Sequence, residues 1–179
     1  HIREYQARIE DEIKIILDRL VKFLNGSEAK LEYDFDSLEK IIDDAVAKSY
    51  TDKDNILSYD LKYFINYMEM RKSQIMTLRY IFDQGKGMKT RPSQARDVAE
   101  LIFNLVPKLH ESNNALNALM DLYFVKEKMK NSELPKSREE FEDRAILHSM
   151  VVNFEQFLEI KREFAANLSE EEKNIFWNR

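Results

Sequence analysis

The chain has 179 residues, which suits one domain with a sizeable core, and its three glycines and three prolines leave room for long helices. It contains no cysteine, which excludes disulfide frameworks, thiolate zinc sites and thiol nucleophiles. The net charge of −5 argues against a general nucleic-acid binder, because such proteins are usually basic.

The first helix is predicted over residues 3–24, because apolar side chains recur there at steps of three and four with charged residues between them. Gly26 is expected to end this helix. The chain begins with His1 rather than methionine and shows no secretory leader. We therefore expect a fragment excised from a longer protein, in which the first helix continues upstream.

Two further helices are predicted in the first half of the chain. The second begins at a capping box formed by Asp36 and Glu39 and ends near Ser49. The polar segment 49–55 is then predicted to be a loop. The third helix is predicted over residues 58–84, where apolar residues again follow helical spacing.

A glycine-containing loop and two helices follow. Residues 85–90 are predicted to be a flexible connection, because they lack the GxxxxGK[ST] spacing of a phosphate-binding loop. The fourth helix is expected to start near Pro92 or Ser93, and Pro107 is expected to kink or end it. A fifth helix is predicted over residues 115–130.

Residues 134–164 form the stretch around which the fold is expected to be organised. Ser137 and Glu140 have the spacing of a capping box at the start of a long helix with one apolar face. Three charged residues fall inside that apolar stripe, namely Glu140, Asp143 and Lys161. Charged groups on a core-facing stripe need partners, so they are candidates for a polar cluster.

Arg71 on the third helix is the expected cationic partner for this cluster. It lies about 60° from Met68, at the centre of the apolar stripe, and therefore should point inward. One interpretation is that Arg71 pairs with Glu140 or Asp143 and ties two long helices together. We hypothesise that such a pair fixes the register of the helices more than it adds stability.

The charged segment 138–145 also has a simpler interpretation. Residues four apart on an exposed first turn form ion pairs that contribute about 0.2–0.5 kcal/mol each. The two pairs that this spacing predicts are Arg138 with Glu142 and Glu140 with Arg144.

A last short helix is predicted after Ser169, where Glu172 again has capping-box spacing, and its aromatic residues are expected to fold back onto the other helices. The complete pattern predicts an all-α fold, an antiparallel helical bundle of four long helices plus two or three short ones. We expect residues 1–179 to form a single domain.

No catalytic or metal-binding motif is found. The Glu-x-x-His pairs of di-metal bundles are absent, since Pro107 and Ala145 stand three residues before His110 and His148. No HExxH motif occurs, and His148 is expected on the solvent side of its helix. The sequence thus predicts no catalytic residue, no metal and no cofactor.

Two segments resemble a known family. The run LPKSREEFEDRA at 134–145, followed by FEQFLEIKREF at 154–164, is similar to the C-terminal domain of the putative aromatic acid exporter family of bacterial membrane proteins. The segment YMEMRKSQ at 67–74 resembles a second family element with a Met-Arg-x-x-Gln pattern. The likeness covers nearly the whole chain and is weakest at 85–114.

The resemblance implies a cytosolic helical domain that follows an N-terminal bundle of transmembrane helices. The expected location is then the cytoplasmic side of the bacterial cell membrane, and the expected partner is the transmembrane domain of the same protein. A homo-oligomer is a further expectation, since the apolar seam of the first helix fits either its own bundle or a second copy.

Two classes of function stay open at this point. The first is a non-catalytic module that assembles or regulates a membrane transporter, with an aromatic acid as a candidate effector. Arg71 and Arg144 would meet its carboxylate, and Phe or Tyr rings would stack on its ring. The second is a free-standing helical scaffold or an enzyme of unknown reaction. An upstream reading frame with several apolar runs would favour the first class.

Overall fold

The computed structural model describes residues 2–52, 54 and 57–178. In this part of the chain every regular element is helical, which confirms the all-α prediction. The seven α-helices that it contains are α1 (Ile2–Leu24), α2 (Phe35–Thr51), α3 (Ser58–Gly85), α4 (Gln94–Leu105), α5 (Leu116–Lys130), α6 (Arg138–Ala166) and α7 (Glu170–Phe176), and a 3-10 turn (Val106–Lys108) follows α4.

The two longest helices, α3 and α6, pack against each other along the centre of the molecule. Gln84 near the end of α3 bonds to Ser149, whereas Tyr63 near its start packs against Phe164 at the end of α6. The two helices therefore run antiparallel. The helices α1 and α2 cover one part of α3, and α5 packs on α4 and α6.

The core consists of the apolar stripes that the sequence pattern predicts. On α1, Ile9, Ile13 and Ile16 are fully buried, and on α6 the buried side chains include Leu147 and Phe154. Helix α3 approaches its neighbours closely at Gly85, where a β-carbon would lie only 2.6 Å from the Leu31 side chain. Glycine at this position lets the end of α3 and the segment after α1 meet without a side chain between them.

The start of α2 differs from the prediction. The N-cap is Asp34, whose carboxylate accepts the Ser37 N–H at 3.1 Å. The predicted capping box of Asp36 and Glu39 is wrong, because both carboxylates instead face Arg79 on α3. Arg79 Nη1 lies 2.7 Å from Asp36 Oδ1 and 3.4 Å from Glu39 Oε1. Helix α2 also extends to Thr51, and so includes the first three residues of the predicted loop. Residues 53 and 55 of that loop lie outside the described residues.

Other predicted helix ends are confirmed. Gly26 follows α1 with a φ of +85°, the left-handed conformation in which glycine is favoured. Pro107 lies in the 3-10 turn that ends α4. Ser169 and Glu172 form a complete capping box at α7.

The cap of α6 is only half of the predicted capping box. Ser137 accepts the Glu140 N–H at 3.0 Å, as expected. The Glu140 carboxylate, however, accepts the backbone N–H of Lys136 and not that of Ser137. The helix still begins where the sequence predicts, because the serine hydroxyl satisfies one of the free N–H groups of the first turn.

Candidate functional site

The centre of the bundle contains a group of polar side chains that we call the central polar cluster, defined as Glu10, Tyr67, Arg71, Gln74 and Lys161. Arg71 has no solvent exposure. Its Nε donates to the Tyr67 hydroxyl at 2.9 Å, and its Nη1 donates to Gln74 Oε1 at 2.8 Å. Its Nη2 donates to Glu10 Oε1 at 3.2 Å and so makes an ion pair from α3 to α1.

The cluster extends from Arg71 to two more elements. Tyr67 donates its hydroxyl proton to Glu10 Oε1 at 2.7 Å, which gives that carboxylate oxygen two donors from α3. Gln74 Nε2 donates to the Phe157 carbonyl of α6 at 3.0 Å. Helices α1, α3 and α6 are thus joined through one buried hydrogen-bond network.

Lys161 on α6 completes the cluster beside the segment that follows α4. Its Nζ donates to the carbonyls of His110 and Glu111 at 3.1 and 2.5 Å. Burial, followed by the repulsion of the Arg71 guanidinium, lowers the pKa of Lys161 well below its ordinary value. An ammonium group is therefore poorly accommodated at this position.

The lowered pKa of Lys161 predicts a specific pH dependence. Between the lowered value and the ordinary pKa of 10.5, the unfolded chain binds more protons than the folded chain, so stability rises with pH. In Lys161→Met this contribution is lost, and the wild type should gain stability relative to the variant as the pH rises through this range towards 10.5. Urea unfolding at several alkaline pH values measures the difference.

Lys173 provides a matched control for that measurement. It lies 5.9 Å from the Trp177 ring, the same distance as Lys161, but it is half-buried and not in the core. Comparison of Lys161→Met with Lys173→Met shows whether the change with pH depends on the buried position. A stability difference between the wild type and Lys161→Met that stays constant over this pH range would contradict the origin assigned to the shift.

The structure corrects the predicted partners of Arg71. Neither Glu140 nor Asp143 contacts it, and its carboxylate partner is Glu10, which sequence reasoning missed. The other α3 members of the network could have been predicted from the segment 67–74. Tyr67, Arg71 and Gln74 are spaced there by four and three residues and so share one face of α3.

Asp143 forms a separate site at the loop between α3 and α4. Its two oxygens accept the backbone N–H groups of Lys89 and Thr90 at 2.9 and 2.8 Å, and the Thr90 hydroxyl donates to it as well. Although burial opposes the shift, these hydrogen bonds lower the pKa of Asp143. The loop predicted to be only a connection is therefore attached to α6 by a buried carboxylate.

Glu140 and Arg144 form a third site near the start of α6. The ion pair between them, at 3.6 Å, and that of Arg138 with Glu142, at 3.1 Å, are the two pairs that the spacing predicts, but only the second is fully on the surface, since Arg144 is 15% exposed. Arg144 also donates to Gln94 Oε1 at 3.1 Å and to the Glu133 carbonyl at 2.7 Å. The five predicted cluster residues therefore lie at three places: Arg71 with Lys161, Glu140 with Arg144, and Asp143 by itself.

The polar side chains at these three places form hydrogen bonds mainly with residues of neighbouring helices and loops. A gap of only about 20 Å³ remains beside Arg71 and Lys161, which is too small for a ligand. His148 is exposed, as predicted, and His110 bonds to Ser112 at 3.0 Å. Among the described residues, no group of three or more potential ligands is placed to hold a metal ion.

The helices and the buried network define an all-α bundle domain whose inner polar groups connect helices. A family model described as the putative aromatic acid exporter C-terminal domain matches residues 1–162, and the chain belongs to that family. The match ends within α6, so α7 lies outside it. None of the helices in the described ranges contains the uninterrupted apolar stretch that a membrane-spanning helix requires.

Two known proteins are similar to this chain. The chain is 28% identical over 162 residues to the uncharacterised protein YqjA of Bacillus subtilis strain 168, with 89% of this chain and 50% of that protein aligned. It also resembles the crystal structure of a putative membrane protein from Clostridium difficile 630, with a TM-score of 0.78 and 27% identity over 94% of this chain and all of the other. The chain spans about half the length of the curated relative that it matches.

Proposed function

We propose that this chain is the non-catalytic, cytoplasmic part of an aromatic acid exporter-like membrane protein, where it regulates or assembles the membrane-spanning part. The observation that carries this proposal is the attachment of α1 to the rest of the domain. In the proposed protein α1 follows the membrane-spanning part, so a displacement of α1 would reach the domain through the contacts that hold it.

The contacts that involve charged side chains near the membrane-proximal start of α1 lie in its first three turns. Glu10 accepts hydrogen bonds from Arg71 and Tyr67 of α3. Arg3 forms an ion pair with Glu111, which follows the 3-10 turn. Tyr63 of α3 donates to the same Glu111 carboxylate at 2.8 Å. The start of α1 is therefore linked to α3 and to the 106–111 segment by charged hydrogen bonds, which resist independent movement of α1.

The family supports the membrane context of this proposal. It is described as the putative aromatic acid exporter C-terminal domain, and half of YqjA lies outside the match to this chain. The first check is the reading frame upstream of residue 1, which should encode several apolar runs of about 20 residues. A reading frame without such runs would favour the free-standing scaffold or enzyme.

The regulatory role is tested in cells with the complete parent protein. Removal of residues 2–179 should abolish efflux of a simple aromatic acid such as benzoate while the membrane-spanning part stays in the membrane. Accumulation of the acid inside the cells measures the first, and an immunoblot of the membrane fraction measures the second. Efflux that is unchanged by the deletion would contradict a regulatory or assembly role. Light scattering of the purified parent protein and of the deletion measures whether the domain brings copies together.

The absence of cysteine makes the proposed location directly measurable. Ala29 is exposed in the segment between α1 and α2, so Ala29→Cys introduces a single accessible thiol into this domain. We expect a membrane-impermeant maleimide to label this thiol only after the cells are permeabilised. Labelling in intact cells would place the domain on the outer side.

A further inference from the structure

The groove between the C-terminal half of α5 and the start of α6 differs in charge from the chain as a whole. It has a volume of about 510 Å³, within the range of small-molecule sites. Its walls carry three cations, Lys126, Lys130 and Arg144, and one carboxylate, Glu127. The chain itself has a net charge of −5, so the groove is a local concentration of positive charge on an acidic protein.

Other large grooves of the described structure have the opposite character. One of about 490 Å³ near the start of α1 is lined by Glu10 and Glu111 together with Arg3. Another of about 360 Å³ between α4 and α5 contains the carboxylates of Asp97, Glu100 and Asp121. An anionic ligand is therefore better accommodated in the groove at Arg144 than in either of these.

Arg144 is held in position for such a ligand. Its side chain is only 15% exposed, and it is oriented by hydrogen bonds to the largely buried Gln94 and to the Glu133 carbonyl through Nε and Nη1. No described residue accepts a hydrogen bond from its Nη2. A fixed guanidinium loses little freedom when it binds a carboxylate, which favours recognition of that group.

The remaining charges of the groove are partly compensated. Glu140 lies 3.6 Å from Arg144, and Glu155 pairs with Lys126 at 2.7 Å. Lys130 is different, because it makes no ion pair with a described residue. Arg144 is paired through Nη1 at the longer distance of 3.6 Å, and its Nη2 has no described acceptor, so Arg144 and Lys130 are the two cations that a ligand carboxylate would meet.

The apolar part of the groove consists of Phe141, Met129, Pro135 and Ala145. Phe141 is 61% exposed, so its ring is open to contact from the groove. Phe141, Arg144, Ala145 and His148 recur at three- and four-residue steps and thus share one face of α6. The small Ala145 side chain leaves space between the larger residues on either side of it.

We propose that this groove binds a monocyclic aromatic carboxylate, with Arg144 and Lys130 on the carboxylate and Phe141 and Met129 against the ring. The inference rests on the proposed function, since it gives the regulatory domain an effector and a site. Arg71, which the sequence suggested as a contact for that effector, is enclosed by the fold and does not line this groove.

The test measures the binding of three small molecules to the 179-residue chain. Isothermal calorimetry gives the affinity, and the NMR signal of Arg144 Nε–H reports on the site. Benzoate should bind and shift that signal. Benzamide, which lacks the charge, and cyclohexanecarboxylate, which lacks the aromatic ring, should each bind at least several-fold more weakly. Equal binding of benzoate and benzamide, or no saturation up to about 10 mM benzoate, overturns the proposal.

Three variants locate the binding. Arg144→Gln should weaken benzoate binding about tenfold or more, since hydrogen bonds to charged groups are among the strongest. Ala145→Phe should block the groove without removing a charge. Lys128→Gln is the matched control, because Lys128 is on the same helix but lines the groove between α4 and α5, and it should leave binding unchanged.

The outcomes separate this inference from the proposed function. Benzoate binding at Arg144 together with efflux that survives deletion of the domain would retain the site and reject the regulatory role. Loss of efflux on deletion together with no benzoate binding would retain the role and reject the site. Benzoate binding that is unaffected by both Arg144→Gln and Ala145→Phe would place the ligand elsewhere and reject the groove.

Discussion

Arg71→Met is expected to reduce the free energy of unfolding by about 3 kcal/mol or more, because it removes one member of a buried ion pair. Methionine fills much of the space of the arginine stem but donates no hydrogen bond. Gln74 Oε1, in a side chain that is 1% exposed, would lose its donor. Glu10 would keep only the Tyr67 hydroxyl as a described partner. Urea unfolding followed by circular dichroism measures the loss.

Lys72→Met is the control for this experiment. Lys72 is the next residue of α3 and forms an ion pair with Asp43 at 2.7 Å, but both side chains are well exposed. Exposed pairs of this kind contribute about 0–1 kcal/mol. If Arg71→Met costs no more than Lys72→Met, the central polar cluster does not stabilise the fold in the way described.

The double variant Arg71→Met with Glu10→Gln tests the pair itself. Once Arg71 is absent, the Glu10 charge has lost its cation, so neutralising it should recover part of the stability. The effects of the two substitutions should therefore differ from their sum by about 0.5–3 kcal/mol, as is usual for residues in contact. Strictly additive effects would show that Arg71 and Glu10 act independently.

Asp143→Asn is expected to reduce the free energy of unfolding by about 2–3 kcal/mol, since a charged acceptor of several hydrogen bonds is replaced by a neutral amide. The asparagine oxygen can still accept one N–H, but its NH2 group would face another donor from Lys89 or Thr90. The loop between α3 and α4 should then open more often. Hydrogen exchange at the Lys89 and Thr90 amides should accelerate.

The same substitution has a defined pH dependence. The folded state lowers the pKa of Asp143 below its ordinary value of 3.8, so this carboxylate contributes stability above that value. The contribution is lost as the pH falls through the lowered pKa. The stability difference between wild type and Asp143→Asn should therefore be full near neutrality and should shrink below pH 3.8, as urea unfolding over a range of pH would measure.

Asp83→Asn is a suitable control for Asp143→Asn. Asp83 lies near the end of α3, is exposed, and pairs with Lys86 at 3.5 Å across the surface. Its replacement should change the free energy of unfolding by less than about 1 kcal/mol. A similar loss for both variants, or unchanged exchange at Lys89 and Thr90, would show that Asp143 does not hold the loop.

The amino-acid sequence by itself determined where most helices lie and which residues point inward. Helix positions follow from local spacing of apolar residues, together with signals such as Gly26, Pro107 and the Ser169 cap. Asp143 and Lys161 were predicted to face the core because a helix places residues by a fixed rotation, and both are buried. Glu140, predicted on the same stripe, is 37% exposed because it lies in the first turn of α6.

The tertiary structure alone decided the partners of these residues. Arg71 meets Glu10, 61 residues away, and Asp143 meets Thr90, 53 residues away. Helical spacing gives the direction of a side chain but not the identity of the neighbouring helix, which depends on how all the apolar faces pack together. The cap of α2 was also decided by the tertiary structure, because Arg79 of α3 pairs with Asp36 and Asp34 caps the first turn instead.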